Sequence, residues 1–261
     1  MRLRVLYTDL DGTLLGPGGS LFAAPARGIT GLAADAVAAV HRARVALVPV
    51  SGRAEVRVRE AARLLGADGY IAELGGIRAR GDLVVRDHGA YRGRGTPYEA
   101  MARSGAAGFL LEAFAGRLEP HAPWAHDGRE ISMLFRGDVR LSDVHARLDG
   151  AGYDWLRLHD NGIVRRAFPG LKVEEVHVYN LLPRGVSKAT AVAADLADRD
   201  APPGEAAAIG DSASDLGLSP HVGRVFLVVP APPDPALPSN VTVTRAMHGE
   251  GFAEAVRLLL A

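Results

Sequence analysis

The chain of 261 residues balances 30 Lys and Arg against 30 Asp and Glu, contains no cysteine, and is 48% hydrophobic. This composition can fill a core, and it excludes a disordered segment, a disulfide framework, a thiolate zinc site and a cysteine nucleophile. A net charge of zero provides no long-range field toward nucleic acid or anionic lipid, so we expect neither partner. The length favours two unequal domains over one large core.

The first part of the chain alternates apolar runs with helical periodicity. Residues 3–8 predict a short buried strand that ends in the turn D-L-D-G-T. Residues 31–44 predict a helix, 46–50 a second buried strand, and 54–65 a second helix that closes at Gly66. This alternation predicts a parallel sheet with helices on both faces.

The pattern changes after residue 76. The predicted elements are a hairpin of 77–80 and 83–87, helices near 97–103 and 105–114, a strand at 130–136, and a helix at 142–148 with Ser142 as its N-cap. Asn161-Gly162 lies between the apolar segments 154–160 and 163–167 and predicts a second hairpin. Hairpins with helices between them indicate an antiparallel α+β domain.

The parallel pattern returns near residue 176. The predicted elements are strands at 176–181, 206–209, 226–229 and 241–243, and helices at 187–197 and 251–260. Five prolines in residues 230–238 predict a surface loop. We therefore expect an α/β fold, with a Rossmann-like doubly wound parallel sheet core at 1–80 and 181–261 and an inserted α+β cap domain at 81–180.

No apolar run approaches the ~20 residues that cross a bilayer, and the first residues have the pattern of neither a signal peptide nor a membrane span. We expect a soluble, cytoplasmic protein without a membrane partner. Its expected state is a monomer or a homodimer.

Four short segments fall where a doubly wound sheet binds ligands. They are D-L-D-G-T at 9–13, S-G-R at 51–53, Lys188 at a helix start, and G-D-S-A-S-D at 210–215. Together they bring four carboxylates, one ammonium and one hydroxyl to one edge of the sheet. Clustered carboxylates repel unless a cation or raised pKa values offset the charge, and oxygen ligands without His or Cys favour Mg²⁺. A lysine beside such a cation indicates phosphoryl transfer.

In this order and spacing the four segments resemble the motifs of the haloacid dehalogenase superfamily of phosphohydrolases. The insertion, preceded by E-L-G-G at 73–76, is similar to the large α/β cap of the Cof-type subfamily, which usually has E-N-G-G there. Sugar-phosphate phosphatases, phosphomannomutases and mannosyl-3-phosphoglycerate phosphatases have similar caps. The resemblance implies a Mg²⁺-dependent phosphatase that hydrolyses a small phosphate ester, a sugar phosphate or a phosphoglycerate-type ester, through an aspartyl phosphate.

The resemblance also implies residue roles. Asp9 would be the nucleophile, and Asp11 would protonate the leaving oxygen and then deprotonate the attacking water. Ser51 and Lys188 would hydrogen-bond phosphoryl oxygens. The remaining implied residues are Gly12, Thr13, Gly52, Arg53 and Ser214 for phosphate binding, and Asp9, Asp11 through its carbonyl, Asp211 and Asp215 for the metal. Ser214 departs from the family, where Asn is usual at this position.

The cap is expected to close over the site and contact the leaving group. The polar candidates for this contact are Glu130, Ser132, Arg165, Arg166 and Lys172. The histidines lack zinc spacing. Trp124 and Trp155 are predicted to pack the small cap core, with stacking on a sugar ring as the alternative.

Two other functions fit the same motifs. A phosphomutase would need a cationic second phosphate site in the cap. A non-catalytic phosphometabolite-binding protein would not need the pair of Asp9 and Asp11, which favours an enzyme.

Overall fold

The computed structural model describes residues 2–24, 28–164, 166, 168–228 and 236–261. The strands are β1 (Val5–Thr8), β2 (Ala46–Pro49), β3 (Tyr70–Ala72), β4 (Ile77–Arg80), β5 (Leu83–Arg86), β6 (Leu118–Pro120), β7 (Met133–Gly137), β8 (Leu156–Ile163), β9 (His177–Pro183), β10 (Ala206–Gly210), β11 (Arg224–Leu227) and β12 (Val241–Val243). The α-helices are α1 (Leu32–Arg42), α2 (Glu55–Leu65), α3 (Pro97–Ser104), α4 (Ala106–Ala113), α5 (Leu141–Gly150), α6 (Lys188–Asp198), α7 (Ala213–Leu216) and α8 (His248–Leu260). None of these described helices has the length and hydropathy to span a membrane.

The core is a five-stranded parallel sheet in the order β12-β11-β10-β1-β2. Successive side chains of β1 point to opposite faces of this sheet. Leu6 packs on one face with Val37 of α1 and Phe252 of α8, whereas Tyr7 packs on the other face with Val192 of α6. Because helices cover both faces, the strands are apolar throughout. The predicted doubly wound core is confirmed.

A small antiparallel sheet, β3-β4-β5, extends this core. An isolated bridge between Val50 and Ile71 joins it to the end of β2. β4 and β5 form the hairpin predicted at 77–80 and 83–87, with its turn at residues 81–82. The predicted boundary between core and cap, at residue 81, falls in this turn.

The insertion forms a four-stranded antiparallel sheet in the order β6-β7-β9-β8. One face of the sheet packs against helices α3, α4 and α5 through Met101, Leu110 and Val144, which meet Leu158 of β8 and Tyr179 of β9. This arrangement confirms the inserted α+β unit. The predicted second boundary, at residue 181, falls inside β9.

The hairpin predicted at Asn161-Gly162 is wrong. β8 runs through both residues and pairs with β9, with a register shift between Asp160 and Ile163. Gly162 has a φ of +100°, and its N–H donates to Asp160 Oδ1 at 2.8 Å. Asn161 and Gly162 would suit a two-residue turn. Here they form a bulge, because β9 pairs with β8 on both sides of them. Asn161 therefore lies on the edge strand of the cap sheet. Ala167, the predicted end of the segment 163–167, lies outside the described residues.

The two tryptophans differ in environment. Trp155 packs against the cap core as predicted, and its ring lies 5.2 Å from that of Tyr91. Trp124 is 44% exposed, and Arg57 of α2 lies 4.3 Å above its ring, so the packing prediction is wrong for this residue. Its position in a loop after β6, away from the sheet face, lets the indole form a cation–π contact between core and cap.

The predicted N-cap of the cap helix is also displaced. α5 begins at Leu141, with Arg140 in the N-cap position, and Ser142 lies within the first turn. Its hydroxyl contacts the Asp143 carboxylate at 3.3 Å and does not cap the helix.

Candidate active site

The four motifs meet at one edge of the core sheet. Asp9 directly follows β1, Asp211 directly follows β10, and Ser51 lies two residues after β2. Because β1 pairs in parallel with both β2 and β10, the carboxyl ends of these strands are neighbours. Lys188 begins α6, where the Ser187 side chain caps the helix.

Lys188 connects two of the acidic side chains. Its Nζ lies 2.8 Å from Asp9 Oδ2 and 2.7 Å from Asp215 Oδ1. Lys188 is 1% exposed and Asp215 equally so, while Asp9 is 6% exposed. Asp9 Oδ1 accepts the backbone N–H of Leu10 at 2.6 Å, which fixes the carboxylate at the end of β1. The result is a buried cluster of one ammonium between two carboxyl groups.

The electrostatics of this cluster follow from burial and close charges. Burial lowers the pKa of Lys188, but the carboxylates of Asp215 and Asp9 outweigh it and raise this pKa above its ordinary value. Burial raises the pKa of Asp9 well above its ordinary value; Asp215 and Asp211 raise it further, while Lys188 opposes them. Lys188 is therefore held as a fixed positive charge beside Asp9.

The loop after β10 presents Asp211 and is stabilised by Asp215. Asp215 Oδ2 accepts the backbone N–H groups of Asp211 at 3.2 Å and Ser212 at 3.1 Å, and the Ser212 hydroxyl at 2.6 Å. Ser214 contacts that hydroxyl at 2.7 Å. Asp215 thus uses both carboxylate oxygens inside the protein, and Ser214 supports this loop.

The D-L-D-G-T turn fits tightly against Asp211. A Cβ on Gly12, whose φ is +84°, would lie 2.1 Å from Asp211 Oδ2, so only glycine fits this approach. The Thr13 hydroxyl donates to Asp211 Oδ1 at 3.1 Å. Gly12 and Thr13 therefore position Asp211, and their predicted role in phosphate binding stays a prediction.

The carboxylates fit a divalent cation. Among the described residues, Asp9, Asp211 and Asp215 each offer an oxygen atom within 4.8 Å of the others. An all-oxygen set of carboxylates matches the preference of Mg²⁺. Burial and, after it, the close negative charges raise the pKa values of Asp9 and Asp211, and a bound cation would offset both effects. Asp215 accepts four hydrogen bonds through its two oxygens, whereas Asp9 accepts one through each oxygen and Asp211 accepts one from Thr13, so Asp9 and Asp211 fit a ligand role better. The Asp11 carboxylate lies outside this group.

Asp211 leads to a prediction for protein treated with a chelator. Burial, with the charges of Asp215 and Asp11, raises its pKa to about 7, although Lys188 and Thr13 oppose this rise. The Asp211 carboxyl group therefore binds its proton more tightly in the folded protein than in the unfolded chain. The protonated carboxyl contributes fully to the free energy of unfolding below about pH 4, the ordinary pKa of an aspartate. We expect that stability to decrease as pH rises from there through about 7. Urea unfolding in EDTA across this range measures the decrease.

The Asp211→Asn variant is the control for this pH dependence. Asparagine does not titrate, so its free energy of unfolding should change less steeply with pH over the same interval. Identical slopes for the variant and the original protein would contradict the assignment of this dependence to Asp211.

Asp11 and Arg53 form an ion pair at the mouth of the site. Arg53 Nε lies 2.6 Å from Asp11 Oδ2, and its Nη2 lies 2.5 Å from Oδ1. The Asp11 side chain is 57% exposed. The Asp11–Arg53 pair is therefore partly exposed to solvent, whereas Asp9 lies inside the buried cluster.

The S-G-R loop is held from both sides. Ser51 is buried, and its hydroxyl accepts the Arg53 N–H at 3.2 Å. The Gly52 carbonyl accepts two hydrogen bonds at 3.1 Å from Arg129 and one at 3.4 Å from Asn180. Residues of the insertion thus contact the loop that the sequence assigned to phosphate binding.

The four described cap candidates lie elsewhere. Glu130 pairs with Arg86, Ser132 is buried against Glu73, and Lys172 is exposed with its backbone N–H bonded to Gly116. Arg166 is exposed and lies 5.5 Å from the Phe168 ring, and Arg165 is outside the described residues. The sequence prediction named four charged residues and Ser132, and it did not include Asn161 and Asn180, whose amides lie against Gly52. A charge is visible in a sequence, whereas the side of a bulged strand that faces the core is not.

Sequence reasoning also missed the role of Glu73, although E-L-G-G drew attention to this segment. Glu73 is fully buried and accepts the three backbone N–H groups of residues 130–132, at 2.7–3.1 Å, and the Ser132 hydroxyl at 2.7 Å. Arg129, which holds the Gly52 carbonyl, lies 3.9 Å from the same carboxylate. Glu73 has a φ of +48°, an uncommon left-handed conformation that these contacts maintain. The segment joins the core to the insertion.

We expect Glu73→Gln to destabilise the protein by about 2–4 kcal/mol, because an amide nitrogen would face backbone donors that now bind a carboxylate oxygen. Urea unfolding measures the change. Glu130→Gln is the matched control, since its exposed pair with Arg86 contributes about 1 kcal/mol or less. Equal effects of the two substitutions would contradict the role given to Glu73.

The chain is similar in fold to solved structures of other proteins. No family model and no curated protein matches the chain. Among solved structures, a sucrose-phosphatase from Synechocystis sp. PCC6803 in complex with sucrose and phosphate is 18% identical, with a TM-score of 0.65 and coverage of 99% of this chain and 98% of that one. A haloacid dehalogenase-like hydrolase from Bacteroides thetaiotaomicron is 16% identical, with a TM-score of 0.66 and coverage of 99% and 100%.

The parallel core and the inserted cap define the haloacid dehalogenase-like hydrolase fold, as the four motifs predicted. A subclass IIB sugar phosphatase of that superfamily is similar over 98% of both chains, at 17% identity and a TM-score of 0.61. The similarity therefore includes the core and the insertion together.

Proposed function

We propose that the protein is a phosphoric monoester hydrolase that requires Mg²⁺ and acts on a small phosphorylated metabolite. The contact of 2.8 Å between Lys188 Nζ and Asp9 Oδ2, inside a buried group of carboxylates, is the observation that carries the proposal. It pairs a nucleophile, anchored at a strand end, with a fixed positive charge for the transferring phosphoryl group. The haloacid dehalogenase-like fold and the sugar phosphatases among its neighbours support this reading.

In the first step, an Asp9 carboxylate oxygen attacks phosphorus, and the bond from phosphorus to the leaving oxygen breaks. Asp11 donates a proton to that oxygen, so the product leaves as an alcohol. Lys188 and the Ser51 hydroxyl bind phosphoryl oxygens and orient the group for in-line transfer. The product of this step on the protein is an aspartyl phosphate at Asp9.

In the second step, water attacks the phosphorus of the aspartyl phosphate. Asp11, now a carboxylate, takes a proton from the water, and the bond from phosphorus to Asp9 breaks to release inorganic phosphate. Asp9 and Asp211 would hold Mg²⁺, which supplies Lewis-acid stabilisation of the phosphoryl charge when bound. Asp215 would keep the Asp211 loop and Lys188 in position.

Asp11 can act only when its ion pair with Arg53 opens. The guanidinium offers parallel donors that match a phosphoryl group as well as a carboxylate, so an entering phosphate can replace Asp11 as its partner. This exchange would free Asp11 for proton transfer and add Arg53 to the phosphate-binding residues.

A screen of phosphate monoesters, with Mg²⁺ and with EDTA, tests the proposal. We expect release of inorganic phosphate that depends on Mg²⁺, with no isomerised ester among the products. Absence of phosphate release from every ester would contradict the proposal, and an isomerised phosphate ester would indicate a mutase.

A further inference from the structure

Two cap amides lie directly against the S-G-R loop. Asn161 Nδ2 is 2.5 Å from the position that a Cβ on Gly52 would occupy, and Asn180 Oδ1 is 3.3 Å from it. At the end of β8, Gly162 approaches the Asp211 loop, where its Cβ position would be 4.0 Å from Ser212 Cβ. Both amides therefore lie next to the S-G-R loop, and the end of β8 that carries Asn161 also approaches the Asp211 loop.

These amides have unused hydrogen-bonding atoms. Asn161 Oδ1 and Asn180 Oδ1 are buried with no hydrogen-bond partner among the described residues, and Asn180 is 0% exposed. The donation from Asn180 Nδ2 to the Gly52 carbonyl identifies the nitrogen, so the unpartnered atom is the oxygen. Buried polar atoms are nearly always partnered, so an unpartnered acceptor on Asn180 and an unpartnered amide atom on Asn161, both beside Gly52, indicate a missing hydrogen-bond partner.

His159 belongs to the same face of the cap sheet. It lies directly opposite Asn180 in the antiparallel β8–β9 pairing, so these two side chains share a face of the sheet. Its Nε2 is also buried without a partner among the described residues. Burial, with smaller contributions from His145 and Arg157, lowers its pKa to about 4, so the imidazole is neutral near pH 7.

We infer that Asn161, Asn180 and His159 form the subsite for the leaving group, and that this group is uncharged and bears hydroxyls. The inference rests on the proposed phosphatase function and selects, from its substrate classes, the sugar phosphates over the phosphoglycerate-type esters.

The chemistry of the unpartnered atoms decides between these classes. Asn180 Oδ1 accepts hydrogen bonds and needs a donor, whereas the Asn161 amide offers either its oxygen or its nitrogen, and a neutral imidazole nitrogen donates or accepts according to its tautomer. A hydroxyl donates and accepts, so a polyol satisfies all three side chains. An ionised carboxylate only accepts, and it would leave Asn180 Oδ1 without a donor.

The two described arginines that contact the motif loops do not provide a free charge for such a carboxylate. Arg53 pairs with Asp11 and, in the proposed reaction, exchanges Asp11 for the phosphoryl group, and Arg129 is buried between the Gly52 carbonyl and Glu73. Both guanidinium groups are thus already partnered on the core side of the subsite.

Three probes in the presence of Mg²⁺ test the inference: glucose 6-phosphate, 3-phosphoglycerate and p-nitrophenyl phosphate. We expect the full chain to have a higher kcat/KM for glucose 6-phosphate than for 3-phosphoglycerate. Asn161→Ala should lower kcat/KM for glucose 6-phosphate by about 10- to 100-fold, whereas p-nitrophenyl phosphate, which has no hydroxyls to bind, should change by less than about 3-fold. Ile163→Ala, an exposed change on the same strand, should leave both values unaltered.

A preference for 3-phosphoglycerate, or an equal loss with glucose 6-phosphate and p-nitrophenyl phosphate in Asn161→Ala, would overturn the inference. Calorimetric binding of glucose 6-phosphate separates this failure from that of the proposed function. Binding that weakens in Asn161→Ala without turnover of any ester would support the subsite and refute the phosphatase. Binding that is unchanged in Asn161→Ala would refute the subsite.

Discussion

Replacement of Asp9 by Asn is expected to lower phosphate release by at least ~10³-fold, because an amide oxygen is a poor nucleophile and forms no stable acyl phosphate. The fold should survive, since asparagine has nearly the same volume and can still accept the Leu10 N–H through its oxygen. Steady-state kinetics with p-nitrophenyl phosphate and saturating Mg²⁺ measure the loss, and circular dichroism checks the fold.

Asp35→Asn is the matched control for this substitution. Asp35 lies exposed in the first turn of α1, away from the motif loops, so its replacement should leave phosphate release unchanged. Retention of full turnover by Asp9→Asn would refute the nucleophile and, with it, the proposed two-step reaction.

Lys188→Met is expected to lower the free energy of unfolding by about 3–5 kcal/mol, because Asp9 and Asp215 would remain buried without their cation. The side chain of Lys188 is fully buried, so little solvent screening reduces this effect. The penalty should shrink as pH falls and the carboxyl groups take up protons. Urea unfolding in EDTA at several pH values measures it, and phosphate release should be lost in parallel.

The other lysine of the chain provides the control. Lys172 is exposed in the cap, so Lys172→Met should change the free energy of unfolding by about 0.5 kcal/mol or less. A Lys188→Met variant that unfolds at the same urea concentration as the original protein would contradict the buried charge cluster, whatever its activity.

The motif residues were accessible to sequence reasoning because each is marked locally. A buried strand is visible as an apolar run, and the first polar residues after it lie at the carboxyl end of the sheet, as Asp9 and Asp211 do. The position of Lys188 at the start of a helix can also be predicted from its neighbours, because Ser187 is a recognisable N-cap. Their roles as nucleophile, ligand and phosphate-binding group stay predictions until the kinetic tests are made.

The cap residues were not accessible in this way. Glu73 binds backbone groups 57 to 59 positions later in the chain, and no local pattern marks such partners. Asn161-Gly162 has the composition of a hairpin turn, and only the presence of β9 beside it converts the segment into a bulged strand.

The doubly wound core, the inserted α+β unit and the residues that end the core strands can be predicted from the sequence, because periodicity and strand ends are local properties. The contact of Arg53 with Asp11, the link from Glu73 to the insertion, and the position of Asn161 and Asn180 against Gly52 depend on the three-dimensional fold. The reason is register: a shift of one residue moves a strand side chain to the opposite face, and register is fixed by pairing between distant segments.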